Sequence, residues 1–271
     1  MFTRPEQNYV IDDAIIDGIL ADDAQPLCQI SKLLPEGASV LDIGAGSGTL
    51  SRILKRAGKR VVIDGVEPNA FAADLARQYY RSIYIGYAQD HFQSIKENAY
   101  DYIVLADVIE HIPDPTIFLT ELLANLSEST KLIISIPNVA FGGVRLALMN
   151  GHFDYVDSGL LESTHLRFFT LANARKIFYS LNLSLERILF LERSFYRVEF
   201  ERRHLRASPF KIWSLANKAD ARAYQYLFLL TQKPIVRATI EHRGASAMKI
   251  MFDGIFVRTW VRNIIRALRR H

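Results

Sequence analysis

Val40-Leu41-Asp42-Ile43-Gly44-Ala45-Gly46-Ser47-Gly48 leads from a short apolar run into three glycines spaced two apart. Helical apolar spacing takes over from Thr49 to Ala57. The segment therefore reads as a buried strand, a tight turn and a helix. Glycines let such a turn close sharply and let the backbone approach a ligand that a Cβ would block. The helix start behind them offers unpaired amides to a polar or anionic group.

Working outward, Ser39–Ile43 is the first of several β-rich runs. Arg60 to Val66, ending at Glu67, is the second, Ser82–Ile85 a short third, Tyr102–Ala106 the fourth and Lys131 to Ile136 the fifth. Continuous Val, Ile and Leu in four of them predicts strands covered on both faces. Thr49 to Ala57, Ala70 to Tyr80, Pro115 to Leu126 and Leu171 to Leu181 have helical spacing, the last with Thr170 as N-cap. Ser184 to Phe190 and Gln225 to Leu230 would complete a seven-stranded sheet. The alternation predicts an α/β, Rossmann-like, doubly wound and mostly parallel sheet. Residues 139–169 read as a long irregular insertion on the substrate side, carrying Gly142, Gly143, Gly151 and Gly159.

The glycine spacing narrows the ligand. A dinucleotide fingerprint needs a third glycine where this chain has Thr49. The G-x-G-x-G pattern, preceded by Asp42, instead resembles the first motif of class I S-adenosylmethionine-dependent methyltransferases. That resemblance implies a cofactor cradle at Gly44, Ala45, Gly46 and Gly48. It also implies Glu67 on the ribose hydroxyls, Asp42 near the methionine ammonium and Asp90 near the adenine.

Past the fourth strand, Asp107-Val108-Ile109-Glu110-His111 puts two carboxylates and an imidazole where open α/β sheets place ligands. With His165 they resemble the metal-binding positions of small-RNA 2′-O-methyltransferases, and ubiquinone-biosynthesis O-methyltransferases share a related Glu-His element. The resemblance implies a metal set of Asp107, Glu110, His111 and His165 for Mg²⁺, Mn²⁺ or Zn²⁺, with Asp107 also at the cofactor. The alternative is that His111 or His165 acts alone as general base. Pro137-Asn138, then Gly151-His152-Phe153-Asp154-Tyr155, then Thr164-His165-Leu166-Arg167-Phe168-Phe169-Thr170 resemble a bacterial methyltransferase family of surface-polysaccharide synthesis. Asn138, Tyr155 and Arg167 are then substrate contacts. The implied reaction is O-methylation of a sugar hydroxyl or other vicinal diol, with a small-molecule or lipid-linked sugar as partner. His152 and the Arg202-Arg203-His204-Leu205-Arg206 run read as solvated.

Composition bounds the rest. The chain has 271 residues, 49% apolar and 23% charged, and one cysteine, Cys28. These values suit a globular protein in a reducing cytoplasm with no internal disulfide. The polar Met1 to Val10 stretch argues against a secretory leader. Residues 236–271 hold eight Lys and Arg against two acids, leaving 25 basic and 27 acidic side chains elsewhere. A net acidic body argues against a phosphate-tracking nucleic-acid surface. The division expected is a methyltransferase domain over 1–235 and a basic extension over 236–271. Within that extension, about 254–270 would form an amphipathic helix, docking on its own domain, on a second copy or on the inner membrane surface.

Overall fold

The computed structural model describes residues 11–254. Ten α-helices and eight strands are named among them, and residues 247–254 are also helical. The helices are α1 Asp13–Ala21, α2 Pro26–Leu33, α3 Thr49–Arg56, α4 Ala70–Ala76, α5 Phe92–Asn98, α6 Pro115–Leu123, α7 Gly142–Met149, α8 Leu171–Ser180, α9 Pro209–Ala216 and α10 Ala219–Arg222. The strands are β1 Ser39–Ile43, β2 Val62–Glu67, β3 Ser82–Ile85, β4 Tyr102–Ala106, β5 Lys131–Pro137, β6 Ser184–Glu192, β7 Ala223–Thr231 and β8 Thr239–Gly244. They form one sheet in the order β3-β2-β1-β4-β5-β7-β6-β8. The first five are mutually parallel, and β7 runs antiparallel between β5 and β6.

The apolar strands split by alternation, as period-2 side chains must. Leu41, Ile43, Ile103, Leu105, Leu132 and Ile134 join one core with Phe118 and Phe178. Val40, Val104 and Ile133 join the other with Leu50 and Leu54 of α3. Both faces are thus covered by helices, which is why these strands carry so few polar residues. Thr170 caps α8 as expected, its side chain accepting from Asn173 N. Asp114 caps α6 in front of Pro115, accepting from the amides of Thr116 and Ile117.

Three expectations are revised. The sheet has an eighth strand: β8 pairs in parallel with β6 from Arg187↔Thr239 to Glu192↔Gly244. Thr-Ile-Glu-His-Arg has one large apolar side chain because an edge strand need bury little, and so it carries no strand-like run. The division at residue 235 consequently cuts through the sheet rather than between two units. The insertion is not wholly irregular, since α7 lies inside it. The amphipathic tail expected over about 254–270 lies outside the described residues beyond Gly254; residues 247–254 are helical.

A third core stands above the carboxyl ends of the strands on the acceptor side. Phe141, Val144 and Leu146 of the insertion meet Phe195, Ile212 and Ala216 from beyond β6, and Ala245 and Ile250 from beyond β8. Three distant stretches of chain therefore build it. Cys28, on α2, is fully buried and in no disulfide.

Candidate active site

The glycine loop sits where β1 ends and α3 begins. Gly44 N and Ala45 N donate to Val66 O at 2.9 and 3.0 Å, tying the turn to β2. Gly44 has φ +83, and a Cβ on it would stand 2.7 Å from Val108 Cγ2. Nothing larger than glycine fits there without moving the segment that carries Glu110 and His111. Gly46 has φ +54, and a Cβ on it would meet no protein atom within 4 Å. Its Cα faces open space, which is the cradle a cofactor needs. Gly48, also at positive φ, is the N-cap of α3.

Glu67 closes the cradle from the end of β2. Its Oε2 accepts from Gly46 N at 2.8 Å and its Oε1 from Asn69 N at 2.9 Å. Two backbone donors fix the carboxylate beside the open loop, and each oxygen keeps acceptor capacity for a hydroxyl. Asp42, 3% exposed, lies beneath the loop and accepts from Tyr80 Oη at 2.6 Å. Burial pushes its pKa up to about 7; the Tyr80 bond opposes that rise and the Glu67 charge adds to it. Tyr80 is pushed well above its ordinary value, first by its own burial and then by the Asp42 charge. Asp90 is exposed and accepts from Tyr87 N at 3.0 Å, so it caps a short 3₁₀ turn at the end of β3.

Beyond β4, Asp107 turns away from the predicted metal set. Its backbone is left-handed, with φ 55. Its Oδ1 accepts from Ser135 Oγ at 2.6 Å, and both oxygens accept from Gln225 Nε2 at 3.0 Å. Ser135 on β5 and Gln225 on β7 thus draw the carboxylate toward the neighbouring strands. The remaining three do converge. Glu110, His111 and His165 offer ligand atoms that all lie within 4.8 Å of one another. Glu110 is 1% exposed, and the two imidazoles meet edge to face at 4.8 Å between centroids.

The convergence is built by the backbone. Leu166 N and Arg167 N both donate to Glu110 O, at 2.9 and 3.0 Å, which pins the late motif to the 3₁₀ turn after β4. His111 Nδ1 faces Thr164 O at 3.2 Å, and His165 Nδ1 faces Leu160 O at 3.1 Å. A carbonyl only accepts, so each Nδ1 carries the hydrogen and each Nε2 the basic lone pair. Two residues not expected in the site complete it. Thr164 Oγ1 lies 3.2 Å from His111 Nδ1 and donates to the buried Glu162 Oε1 at 2.6 Å. Thr164 opens the quoted Thr-His-Leu-Arg motif and Glu162 stands two residues before it, but only their packing shows their partner.

The predicted substrate contacts fare differently. Asn138 is wholly buried, donating to Asp220 O and Ala223 O at 2.7 Å and accepting from Ala140 N at 2.9 Å. It joins β5 to β7 and is no substrate ligand, because its amide is committed to backbone. Arg167 donates through Nε to Pro113 O at 2.8 Å and through Nη2 to the same oxygen, so it buttresses the loop after His111 rather than reaching a polyol. Tyr155 is 60% exposed and packs edge-on against Phe153. Phe153 in turn meets Phe168, and Phe168 meets His165. A line of rings therefore runs from the histidine pair to the surface.

Comparison with known proteins gives the family and the fold. Residues 20–188 match the family described as a methyltransferase domain, which is more than half of the chain. The chain is 25% identical over 138 residues to a ubiquinone biosynthesis O-methyltransferase of Xanthomonas axonopodis pv. citri, covering 50% of this chain and 57% of that one. It is 28% identical over 140 residues to the protein so named in Xylella fastidiosa, covering 50% and 56%. The chain thus spans a little over half the length of the curated relatives it matches. Among solved structures, a SAM-dependent methyltransferase from Archaeoglobus fulgidus superposes with a TM-score of 0.54 at 16% identity, over 83% of this chain and 97% of that one. Another from Thermotoga maritima gives 0.53 at 18% identity, over 78% and 90%.

Proposed function

The chain belongs to the methyltransferase-domain family, and from that premise we propose that it O-methylates a hydroxyl of a sugar or glycan intermediate. S-adenosylmethionine is the cofactor of this fold, and it supplies a methyl group on a sulfonium, ready for in-line displacement. The open face of Gly46 and the fixed Glu67 carboxylate are what support its seat here. Asp42, whose pKa is raised to about 7, would supply a negative charge to the methionine ammonium.

The observation that carries the reaction class is the His111–His165–Glu110 cluster beside that cradle, in which Glu110 and His165 are buried and His111 half-buried. An attacking alcohol must lose its proton, and the two Nε2 lone pairs are aimed by backbone carbonyls behind them. The Glu110 carboxylate alongside favours the imidazolium that results. The same three side chains suit a divalent cation such as Zn²⁺ or Mn²⁺, which would lower the pKa of an acceptor hydroxyl. In either case the residues hold acceptor oxygen and methyl carbon in line, which is most of what methyl transfer asks of a protein.

The sugar reading rests on the Gly-His-Phe-Asp-Tyr and Thr-His-Leu-Arg-Phe-Phe-Thr segments. The names of the curated relatives favour a second reading, a phenolic hydroxyl lying along the Phe153–Phe168 rings. Full-length protein with methyl-labelled cofactor and a panel of nucleotide sugars, lipid-linked saccharides, catechols and quinols separates the two. Label on a sugar oxygen upholds the proposal. Label on a phenol alone replaces its acceptor, and label on nitrogen or carbon alone overturns O-methylation.

A further inference from the structure

The molecule carries a second group of metal-ligating side chains, away from the cradle and from His111 and His165. His152 and Asp154 follow α7 in the insertion, and His204 lies in a 3₁₀ turn, Arg202–Leu205, about fifty residues later. Asp154 Oδ2 stands 3.5 Å from His152 Nδ1 and 3.5 Å from His204 Nδ1. All three ligand atoms lie within 4.8 Å of one another. His152 is thus not simply solvated; its ring lies flat on that of His204, with centroids 3.5 Å apart and planes 9° from parallel.

Those numbers suit a shared ion better than a hydrogen-bonded trio. A separation of 3.5 Å is long for a charge-assisted N–H···O bond. Two ligands each about 2.1 Å from a tetrahedral ion sit roughly 3.4 Å apart, close to both separations seen. The face-to-face stack is also an arrangement that neutral rings avoid in favour of offset or edge contacts. The other stacked or edge-on imidazole pair among the described residues adopts the edge geometry, at 71°. We propose that His152, Asp154 and His204 form a second cation site, taking a borderline divalent ion such as Zn²⁺, Ni²⁺ or Co²⁺. Two imidazoles and one carboxylate favour those ions over Mg²⁺ or Ca²⁺. Water fills the remaining positions, since Asp154 is exposed.

The segments are held side by side before any ion arrives. Asn150 Nδ2 donates to His204 O and Arg206 O, both at 3.0 Å. Leu205 is buried in the third core. Binding needs only local change: each ring tips about its broad χ2 so that its Nδ1 lone pair meets the ion. Arg203, which donates to His204 Nε2 at 3.1 Å, is released to Glu201, with which it already pairs at 2.6 Å. His204 then carries its hydrogen on Nε2. The consequence reaches the acceptor side through Phe153, which sits between His152 and Asp154 and packs on Phe168 next to His165. The ion acts as a staple that fixes the ring line leading to the histidine pair.

The test is metal stoichiometry on full-length protein stripped by chelator, then equilibrated with Zn²⁺ and counted by plasma emission. Wild type should hold one equivalent more than Asp154→Asn and one more than His204→Ala. Glu110→Gln serves as the control, because an ion at the other cluster would vanish there and not in Asp154→Asn. Asp154 is exposed, so its substitution leaves the fold intact, and a thermal melt without metal checks this. Zn²⁺ should raise the melting temperature of wild type by more than that of Asp154→Asn. Equal Zn²⁺ content in wild type and both staple variants, or an identical melting shift in Asp154→Asn, overturns the proposal.

Discussion

The cofactor side and the acceptor side of this chain are built on opposite plans. The cradle is local: Gly44, Gly46 and Glu67 fall within 24 residues, on two adjacent parallel strands and the turns after them. The acceptor side gathers the insertion and the segments after β6 and β8 around a core of its own, and backbone bonds tie the insertion to the turn after β4. Its catalytic candidates are held by reaches of more than 50 residues, from Leu166 N and Arg167 N to Glu110 O. A cradle of that kind can be kept while the acceptor wing is rebuilt, which is how one fold serves many acceptors.

Substitutions can break or sharpen that division. The largest effect should come from Glu67→Ala, which removes the acceptor for two backbone amides and, on the reading proposed above, for the ribose hydroxyls. Charge-assisted bonds are worth about 1.5–3 kcal/mol each, so calorimetry with S-adenosylhomocysteine should show affinity falling at least 100-fold. Unchanged affinity would remove Glu67 from the cradle. His111→Ala should lower kcat by about 10²–10⁴ while leaving S-adenosylhomocysteine affinity within a few-fold. A parallel collapse of cofactor affinity would show that the two sides are not separable.

Asp42 gives a pH signature. Its pKa is raised from 3.8 to about 7 in the folded chain. Between those values the unfolded state has released a proton that the native state still binds, so stability falls as pH rises and levels off above about 7. The fall is up to about 4 kcal/mol. Asp42→Asn should flatten that dependence in denaturant melts at pH 5, 6 and 8. Cofactor affinity should rise with pH through the same window in wild type only; a slope retained in Asp42→Asn would take its ammonium away. Asn138→Ala should cost about 2–3 kcal/mol of stability by stranding two buried carbonyls, with no change in acceptor KM for the protein that remains folded. A KM effect alone would return Asn138 to the substrate. The smallest effect concerns the basic tail: vesicles with anionic lipid should float full-length protein more than a form ending at Gly244. Equal flotation removes the membrane reading.

The difference in legibility follows the difference in plan. The loop from Val40 to Gly48 could be read directly because strand, turn and helix are consecutive and each has its own local signal. His165 became readable only through resemblance, since nothing in the spacing from His111 says that they meet. Asn138, Arg167 and Asp107 were misplaced for one reason: a polar side chain near a strand end looks the same whether it faces a ligand or a backbone carbonyl. Asp107 depends on Gln225, more than a hundred residues on, and Asn138 on Asp220 and Ala223. β8 has no strand-like apolar run to read, because an edge strand needs little apolar surface. Glu199, which accepts from Leu160 N at 2.8 Å and from Tyr224 Oη, carries no motif at all, yet it steadies the residue whose carbonyl orients His165.

The antiparallel β7 has a consequence for biosynthesis. It lies between β5 and β6, although β6 precedes it in the chain. On the ribosome, the five parallel strands and the glycine loop can assemble as they emerge, each finding a neighbour already made. β6 cannot: its two flanking strands, β7 and β8, are both translated after it. A nascent chain paused after Glu192 would hold a nearly finished cofactor cradle beside an unpaired apolar strand, the kind of edge that chaperones cover. The side proposed to meet the acceptor is thus also the side completed last.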